Sequence, residues 1–267
     1  MILRSALDAL SSVLFPAGCR LCEQPLTTAS LIPVCAACLH RFKRILPPFC
    51  LCCGRPFAPA PNGQASPPLC RLCRLPFYGF DRARSFGVYD EALSEAIVLL
   101  KYDEITRLGD WFAARLAEIV LEASGDWPVD LVVPVPLHIH RRRERGCNQA
   151  ELIARPLAKR LNLKFAPSAL TRTKPRPPQL LLSRTEHWQS VRGAYAISPG
   201  AKVDNLRILL VDDVLTTGAT LDACSRVLKR AGASSVIGIT VARARSSLVA
   251  AKPVEARTLA RELTRRN

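Results

Sequence analysis

The sequence predicts an α/β protein in which helices flank a parallel sheet and a small cysteine-rich domain precedes the sheet. Two apolar runs, Leu131 to Val135 and Ile208 to Val211, lack the alternation of half-exposed strands, which indicates burial on both faces. A helical pattern and a third apolar run, Val236 to Val241, follow the second run. Strand, helix and strand in this order form a βαβ unit, which requires parallel strands.

The first residues predict a short amphipathic helix, because Leu3, Leu7, Leu10 and Leu14 recur at helical spacing. The segment lacks the long apolar centre and small-residue cleavage site of a secretory signal. Nowhere does the chain contain the run of about 18 apolar residues that a membrane-spanning helix needs. We therefore expect a soluble, cytoplasmic protein without a membrane span.

Cysteine spacing predicts a double zinc finger. Eight of the 11 cysteines form four Cys-x-x-Cys pairs: Cys19 and Cys22, Cys35 and Cys38, Cys50 and Cys53, Cys70 and Cys73. Two such pairs supply the four thiolates of a tetrahedral zinc site, so we expect about two structural zinc ions. Disulfides would require an oxidising compartment, and an iron–sulfur cluster is a further alternative. The spacing favours sequential pairing, but a cross-braced arrangement, in which the first and third pairs share one ion, stays open.

The composition indicates an anionic partner. Lys and Arg number 38 against 22 Asp and Glu, which gives a formal net charge of +16. Such an excess suits nucleic acid, a nucleotide or a polyphosphate. The alternative is that the proteins of the source organism are basic in general, in which case the positive charge has no functional meaning.

The middle of the chain continues the α/β pattern. We predict a strand near Ser85 to Tyr89 and helices over Glu91 to Lys101 and Leu108 to Glu122. Asn148, with Glu151 three residues later, predicts the capped start of another helix. The expected domains are 1–77 (amphipathic helix and double zinc finger), 78–243 (α/β domain) and 244–267 (basic tail).

A basic turn follows the strand at Leu131 to Val135. Arg141, Arg142, Arg143 and Arg145 lie within five residues, and their guanidinium groups suit bidentate contact with phosphates. The first three are candidates for nucleic-acid binding. A solvated turn before a helix is the alternative interpretation.

The run Ile208 to Val211 leads into a candidate phosphate loop. Asp212 and Asp213 come first, and the residues that can offer amides and hydroxyls to one phosphate follow: Thr216, Thr217, Gly218, Ala219 and Thr220. A loop between the carboxyl end of a strand and the amino end of a helix is where α/β sheets bind anionic ligands. The carboxylates would then meet sugar hydroxyls or a metal ion carried by the substrate. The alternative is a structural turn in which Asp213 or a threonine caps the helix.

These residues carry a family resemblance. The stretch Val-Asp-Asp-Val-Leu-Thr-Thr-Gly-Ala-Thr at 211–220 resembles the phosphoribosyl-pyrophosphate (PRPP) motif of the type I phosphoribosyltransferases. Together with the four cysteine pairs, other stretches resemble the ComF/GntX family, which joins a cysteine finger to a phosphoribosyltransferase domain: Leu100 to Tyr102, Val133 to Pro136, Arg145 to Gln149 and Gln179 to Tyr195.

The resemblance implies roles for these residues. Asp212 and Asp213 would meet the ribose hydroxyls and the threonine-rich loop the 5′-phosphate of PRPP, with Mg²⁺ as the metal. A second loop would contact pyrophosphate: Pro134, Val135, Pro136 and Leu137. Lys101 or Arg145 would stabilise the departing pyrophosphate.

The same resemblance implies a phosphoribosyltransferase with an unknown acceptor. It would act in DNA uptake during competence or in the use of external DNA, with other DNA-uptake proteins as partners. A non-catalytic competence factor that binds single-stranded DNA and a regulator that senses PRPP are the alternatives.

Overall fold

The computed structural model describes residues 18–26, 32–58, 68–100, 106–123, 125–140, 143, 146–174 and 184–244. The α-helices with described bounds are α1 (Ala36–His40), α2 (Glu91–Leu99), α3 (Thr106–Glu122), α4 (Gln149–Leu161), α5 (Arg184–Val191) and α6 (Ala219–Arg230), and a 3-10 helix spans Arg71–Arg74. The strands are β1 (Arg82–Val88), β2 (Leu131–Pro134), β3 (Lys164–Phe165), β4 (Leu170–Arg172), β5 (Tyr195–Ile197), β6 (Arg207–Leu215) and β7 (Ser235–Arg243). The predicted N-terminal helix and all of the predicted tail except Ala244 lie outside the described residues.

The predicted parallel sheet is confirmed. Five strands lie in the order β1-β7-β6-β2-β3, and every neighbouring pair is parallel. Strands β4 and β5 form a separate antiparallel pair. Because β2 lies beside β6, the two apolar runs of the sequence form adjacent central strands.

Helices cover both faces of the sheet, as the apolar runs predict. Ile208 and Leu210 pack in one buried cluster with residues of α6, whereas Leu209 and Val211 pack in another with residues of α2, α3 and α4. Successive side chains of a strand point to opposite faces, so the two clusters lie on opposite sides of the sheet. All four side chains are fully buried.

Strand β6 continues beyond the apolar run that marks it in the sequence. It includes Asp212 and Asp213 and ends at Leu215. Apolar character ends at Val211, whereas backbone pairing does not. Asp212 pairs with Thr240, and Leu215 pairs with Arg243, so β7 supports the strand to its end.

The N-terminal cysteine-rich part packs directly on the sheet. The Val88 N–H donates to the Lys43 carbonyl (2.9 Å), and the Ile45 N–H donates to the Phe86 carbonyl (2.8 Å). These bonds cover the outer edge of β1, where unpaired backbone groups would otherwise invite association with another chain. Ala83 is also bonded to this part, through its N–H to the Cys52 carbonyl at 2.6 Å.

Candidate functional site

The two predicted ligand loops emerge side by side at the centre of the sheet. From β2 the chain runs through α4 to β3, and from β6 it runs through α6 to β7 on the opposite side. The gap between β2 and β6 is therefore the topological switch point, where α/β sheets bind ligands. Pro134 pairs with Val211, and the Val135 N–H donates to the Val211 carbonyl at 2.8 Å.

The acidic pair lies on the part of β6 that extends beyond this pairing. Asp212 and Asp213 are both half-buried. The Asp213 N–H donates to Oδ1 of Asp212 (3.0 Å), and the Val214 N–H donates to Oδ1 of Asp213 (2.7 Å). Since β2 ends at Pro134, no strand within the described ranges covers this side of the acidic segment.

Thr217 anchors the loop after β6 to the protein. Its hydroxyl lies 2.9 Å from Nδ1 of His187 on α5 and accepts the Ala219 N–H at 3.3 Å. Thr217 is only 8% exposed, so its hydroxyl is engaged inside the molecule. Thr216 and Thr220 are half-buried, and within the described ranges their hydroxyls make no hydrogen bond.

Gly218 begins helix α6 in a conformation that favours glycine. Its φ of 88° lies in the left-handed region, and a Cβ at this position would come within 2.7 Å of the Tyr78 ring. Tyr78 also donates its hydroxyl to the Thr217 carbonyl at 3.1 Å. The next residue, Gly79, donates its N–H to Oδ1 of Asp222 in the first turn of α6 at 2.6 Å. The segment around Tyr78 therefore holds the start of α6.

Few backbone N–H and carbonyl groups of the predicted pyrophosphate loop are available to bind a ligand. Val135 is buried, its N–H is bonded within the sheet, and its carbonyl accepts Nδ2 of Asn148 at 3.1 Å. Pro134 and Pro136 have no N–H. Leu137 thus has the one backbone N–H of this loop that no described residue occupies. Asn148 caps α4 as predicted, by accepting the Ala150 N–H at 3.2 Å.

The cysteine pairs form two four-cysteine clusters, which we call cluster 1 (Cys19, Cys22, Cys35 and Cys38) and cluster 2 (Cys50, Cys53, Cys70 and Cys73). Within each cluster, all sulfur atoms lie within 4.8 Å of one another. The pairing left open by the sequence is therefore sequential rather than cross-braced.

The geometry of both clusters fits a tetrahedral metal ion. Two sulfur–sulfur distances, Cys22 to Cys35 and Cys53 to Cys70, are 3.7 and 3.8 Å. A tetrahedron with zinc–sulfur bonds of about 2.3 Å has edges of about 3.8 Å. All the cysteines in these clusters are free thiols, which excludes the disulfide alternative for this structure. Each cluster could hold a metal ion.

The first knuckles of the two clusters repeat one backbone design. In cluster 1 the Glu23 N–H donates to the Cys19 carbonyl at 2.8 Å, and in cluster 2 the Gly54 N–H donates to the Cys50 carbonyl at 2.9 Å. Glu23 and Gly54 both have positive φ, at 63° and 66°. In each cluster, this tight turn directs the two sulfur atoms of the knuckle toward the centre of that cluster.

Backbone amides stabilise one thiolate in each cluster. Burial raises the pKa of Cys19, but N–H groups of Cys35, Cys22 and Leu21 outweigh it and lower the pKa to about 6. The pKa of Cys50 falls to about 7 for the same reasons. Deprotonated sulfur is the form that binds metal.

Several predicted residues lie outside the described part of the chain: Lys101, Arg141, Arg142 and Arg145. Arg143 is described and exposed.

Sequence reasoning missed four residues that the structure places around the loop after β6 or between it and cluster 2: Tyr78, His187, Asp222 and Arg243. The aromatic run at 77–80 just after the last cysteine knuckle was a usable signal, as was an aspartate on the buried face of α6.

Comparison with known proteins identifies the family. Residues 147–259 match the family model of the phosphoribosyl transferase domain. DNA utilization protein YhgH of Escherichia coli (strain K12) is 30% identical over 224 residues, which cover 83% of this chain and 94% of that protein. The chain belongs to the ComF/GntX family. Another relative, competence protein F of Haemophilus influenzae, is 28% identical over 215 residues, which cover 79% of this chain and 90% of that protein.

Among solved structures, a hypoxanthine phosphoribosyltransferase from Staphylococcus aureus aligns with 54% of this ComF/GntX chain and 69% of its own, at 17% identity and a TM-score of 0.35. The domain match and the parallel sheet agree with the fold class that the sequence predicts. Among the described residues, no helix has the length and apolarity required to cross a bilayer.

Proposed function

We propose that this ComF/GntX protein binds PRPP with Mg²⁺ in the crevice between β2 and β6 and transfers the phosphoribosyl group to an acceptor. One observation carries the proposal: an acidic pair on the uncovered end of β6 and a loop at the start of α6 lie together at the topological switch point. The phosphoribosyl transferase domain match over 147–259 supports it.

Each group of the crevice has a role in this proposal. Asp212 and Asp213 accept hydrogen bonds from the ribose hydroxyls. Backbone N–H groups of residues 216–220, other than the Ala219 N–H that the Thr217 hydroxyl accepts, surround the 5′-phosphate, where the dipole of α6 favours an anion. The hydroxyls of Thr216 and Thr220 can add to these contacts, whereas the Thr217 hydroxyl orients the loop through His187.

The reaction needs charge stabilisation more than a nucleophilic side chain. The bond from ribose C1 to pyrophosphate breaks as the acceptor's lone pair approaches, and positive charge develops on the sugar ring. The Leu137 N–H, with Lys101 or Arg145, would stabilise the leaving pyrophosphate. Mg²⁺, held mainly by substrate oxygens and water, would neutralise part of its charge.

We propose that clusters 1 and 2 each hold one structural zinc ion. Four cysteine sulfurs at tetrahedral separations are the donor set that zinc prefers in structural sites. Iron is the alternative, and elemental analysis of freshly purified, reduced protein distinguishes them. Two zinc ions per chain are expected, and protein without zinc would contradict the assignment.

We further propose that the protein acts in the handling of DNA taken up from outside the cell. The names of its relatives, a DNA utilization protein and a competence protein, support this role, and so does the formal charge of +16. Single-stranded DNA and other DNA-uptake proteins are the proposed partners. A non-catalytic DNA-binding factor and a PRPP-sensing regulator remain as alternatives that the following experiment separates.

The test begins with PRPP affinity, measured by calorimetry with Mg²⁺ present. Asp212→Asn with Asp213→Asn should weaken binding by about 1.5 to 3 kcal/mol for each charge-assisted hydrogen bond lost. The control pair, Asp110→Asn with Asp126→Asn, changes the same charge at exposed sites and should leave affinity unchanged. Wild-type protein that binds no PRPP would refute the proposal.

Catalysis is tested separately by measuring pyrophosphate release with a panel of nucleobases and nucleic acids. Release that depends on one acceptor supports a transferase. PRPP binding without release would favour the sensing regulator, and DNA binding without PRPP binding would favour the non-catalytic factor.

A further inference from the structure

Arg243, the last residue of β7, lies buried against cluster 2. It is 4% exposed, and its Nη2 donates to Sγ of Cys53 at 3.5 Å. Within the described ranges it forms no ion pair with a carboxylate, and its Nη1 has no hydrogen-bond partner. A buried guanidinium needs a nearby negative charge. A divalent ion bound by four thiolates has a net negative charge, so a metal-loaded cluster 2 supplies what Arg243 lacks.

The same arginine adjoins the phosphate loop. Leu215 pairs with Arg243 at the end of the sheet, and the Ala244 N–H donates to the Leu215 carbonyl at 3.0 Å. Leu215 directly precedes Thr216, the first residue of the loop. Arg243 therefore lies between a ligand sulfur of cluster 2 and the strand end from which the loop begins.

A second connection runs from the last cysteine of cluster 2. Tyr78 follows Cys73 by five residues, donates its hydroxyl to the Thr217 carbonyl and packs its ring against Gly218. Its ring stacks on buried Phe80 at 4.5 Å, and the Gly79 N–H binds Asp222 in the first turn of α6. The segment that leaves cluster 2 thus contacts the loop backbone and the helix behind it.

In the part of the chain that the structure describes, cluster 1 has no comparable connection to the loop. Its buried residues pack against apolar side chains of the N-terminal part and against Leu99 on α2. Among the described residues, none of its hydrogen bonds reaches 212–222. The described residues thus offer an internal comparison between a four-cysteine cluster that is connected to the loop through Arg243 and Tyr78 and one for which they show no such connection.

We propose that the metal ion of cluster 2 and the ligand of the phosphate loop bind cooperatively, with Tyr78 and Arg243 as the positioning residues that join the two sites. The metal holds the segment around Tyr78 and the end of β7 in place, and these in turn hold the loop in its ligand-binding geometry. Coupling between binding sites is reciprocal, so the loop's ligand also stabilises the metal in cluster 2. Cluster 1 is not coupled. The part of this inference that concerns the ligand of the loop rests on the proposed function.

The first experiment needs no ligand. Hydrogen exchange of the 212–222 segment is measured in zinc-loaded full-length wild type and in two variants that remove the fourth ligand of each cluster, Cys73→Ser and Cys38→Ser. Exchange in this segment should accelerate at least severalfold in Cys73→Ser and stay at the wild-type rate in Cys38→Ser. Equal behaviour of the two variants would overturn the coupling.

The second experiment measures zinc release to a chelating dye with and without PRPP and Mg²⁺. In Cys38→Ser the remaining ion lies in cluster 2, and PRPP should slow its release. In Cys73→Ser the remaining ion lies in cluster 1, and PRPP should have no effect. If wild type binds PRPP but PRPP slows the release of neither of its ions, the inference fails while the proposed function stands. If wild type binds no PRPP, the proposed function fails and the exchange experiment alone decides the coupling.

Milder variants cover the case in which Cys73→Ser does not fold. Tyr78→Phe removes the hydroxyl contact with the loop, so PRPP affinity should fall by about fivefold and the protection of zinc by PRPP should shrink, with zinc content unchanged. Arg243→Gln should release one zinc ion faster than wild type while the other is unaffected. Unchanged zinc release in Arg243→Gln and unchanged PRPP protection in Tyr78→Phe would together overturn the inference.

Discussion

At the scale of single residues, Gly218 shows how one position serves two requirements. The sequence motif suggests a glycine because a phosphate must approach the backbone. The structure adds a left-handed φ of 88° and the Tyr78 ring, which occupies the place of a side chain. Any other residue here would meet both a conformational penalty and a packing conflict.

We predict that Gly218→Ala abolishes PRPP binding and that Gly200→Ala does not. Gly200 has a similar φ of 76°, but nothing lies within 4 Å of its Cβ position. Both substitutions should reduce the free energy of unfolding by about 1 kcal/mol through backbone strain. Only Gly218→Ala also displaces Tyr78 from the loop. Chemical denaturation and calorimetry with PRPP check the two effects, and equal PRPP affinity in both variants would contradict the argument.

Also at the residue scale, the structure distinguishes the cysteines of cluster 2 from a neighbouring cysteine. Cys52 lies between two cysteines of cluster 2 in the sequence, yet it is not one of the four residues of that cluster. We expect Cys52→Ser to keep two zinc ions per chain and Cys53→Ser to lose one, as measured by elemental analysis. Loss of zinc in Cys52→Ser comparable with that in Cys53→Ser would show that the ligand assignment is wrong.

At the scale of elements, an ion pair joins the two central strands, β2 and β6, where they begin. Asp130, just before β2, accepts three hydrogen bonds from Arg207, the first residue of β6, at 2.6 to 2.9 Å. The side-chain and backbone hydrogen bonds of Arg207 lower the pKa of Asp130 to about 2. This ion pair joins the two strands at the end opposite the ligand crevice.

The lowered pKa predicts how this contact depends on pH. An aspartate with a pKa of about 2 when folded and about 3.9 when unfolded contributes stability above pH 3.9 and loses it as the pH falls toward 2. Asp130→Asn should therefore lower the free energy of unfolding by up to about 1 kcal/mol, by the same amount at every pH from 5 to 8. Denaturation of both proteins across that range is the measurement. A difference that varies with pH between 5 and 8 would contradict the assignment.

At the scale of the whole molecule, the excess of positive charge is the feature that no single site explains. The formal net charge is +16, and it stays positive when eight cysteine thiolates and two zinc ions are included. Positively charged side chains bind a polyanion such as single-stranded DNA by neutralising its phosphates. Because this binding releases counterions, the affinity falls as the salt concentration rises.

We predict that Arg141→Ala, Arg142→Ala and Arg143→Ala together weaken binding to single-stranded DNA and reduce its salt slope by about 2, since each phosphate contact contributes about 0.7. The control is the triple variant Lys159→Ala, Lys202→Ala and Arg230→Ala, which removes the same charge from exposed positions elsewhere. Titrations over a range of salt concentrations provide the slopes. Equal slopes in the two triple variants would place the DNA contact elsewhere.

Local sequence patterns predicted much of the fold and part of the site. The apolar runs located three strands of the sheet, Asn148 located the start of α4, and the cysteine spacing located the eight cysteines of clusters 1 and 2. Each of these features depends on residues close together in the chain, through strand burial, helix capping or a tight turn. Such features can be read from one sequence because neighbouring residues alone determine them.

Tertiary structure decided the features that depend on residues far apart in the chain. The extension of β6 beyond the acidic pair to Leu215 depends on its pairing with β7, and the choice of sequential rather than cross-braced cysteine pairing depends on how the knuckles fold together. The contacts of Cys53 with Arg243 and of Tyr78 with Thr217 span more than a hundred residues. The sequence by itself therefore determined which groups the protein offers as candidates for binding metal and phosphate. Only packing in three dimensions decided that cluster 2 is connected to the candidate phosphate loop, because no local pattern records which distant segments share a core.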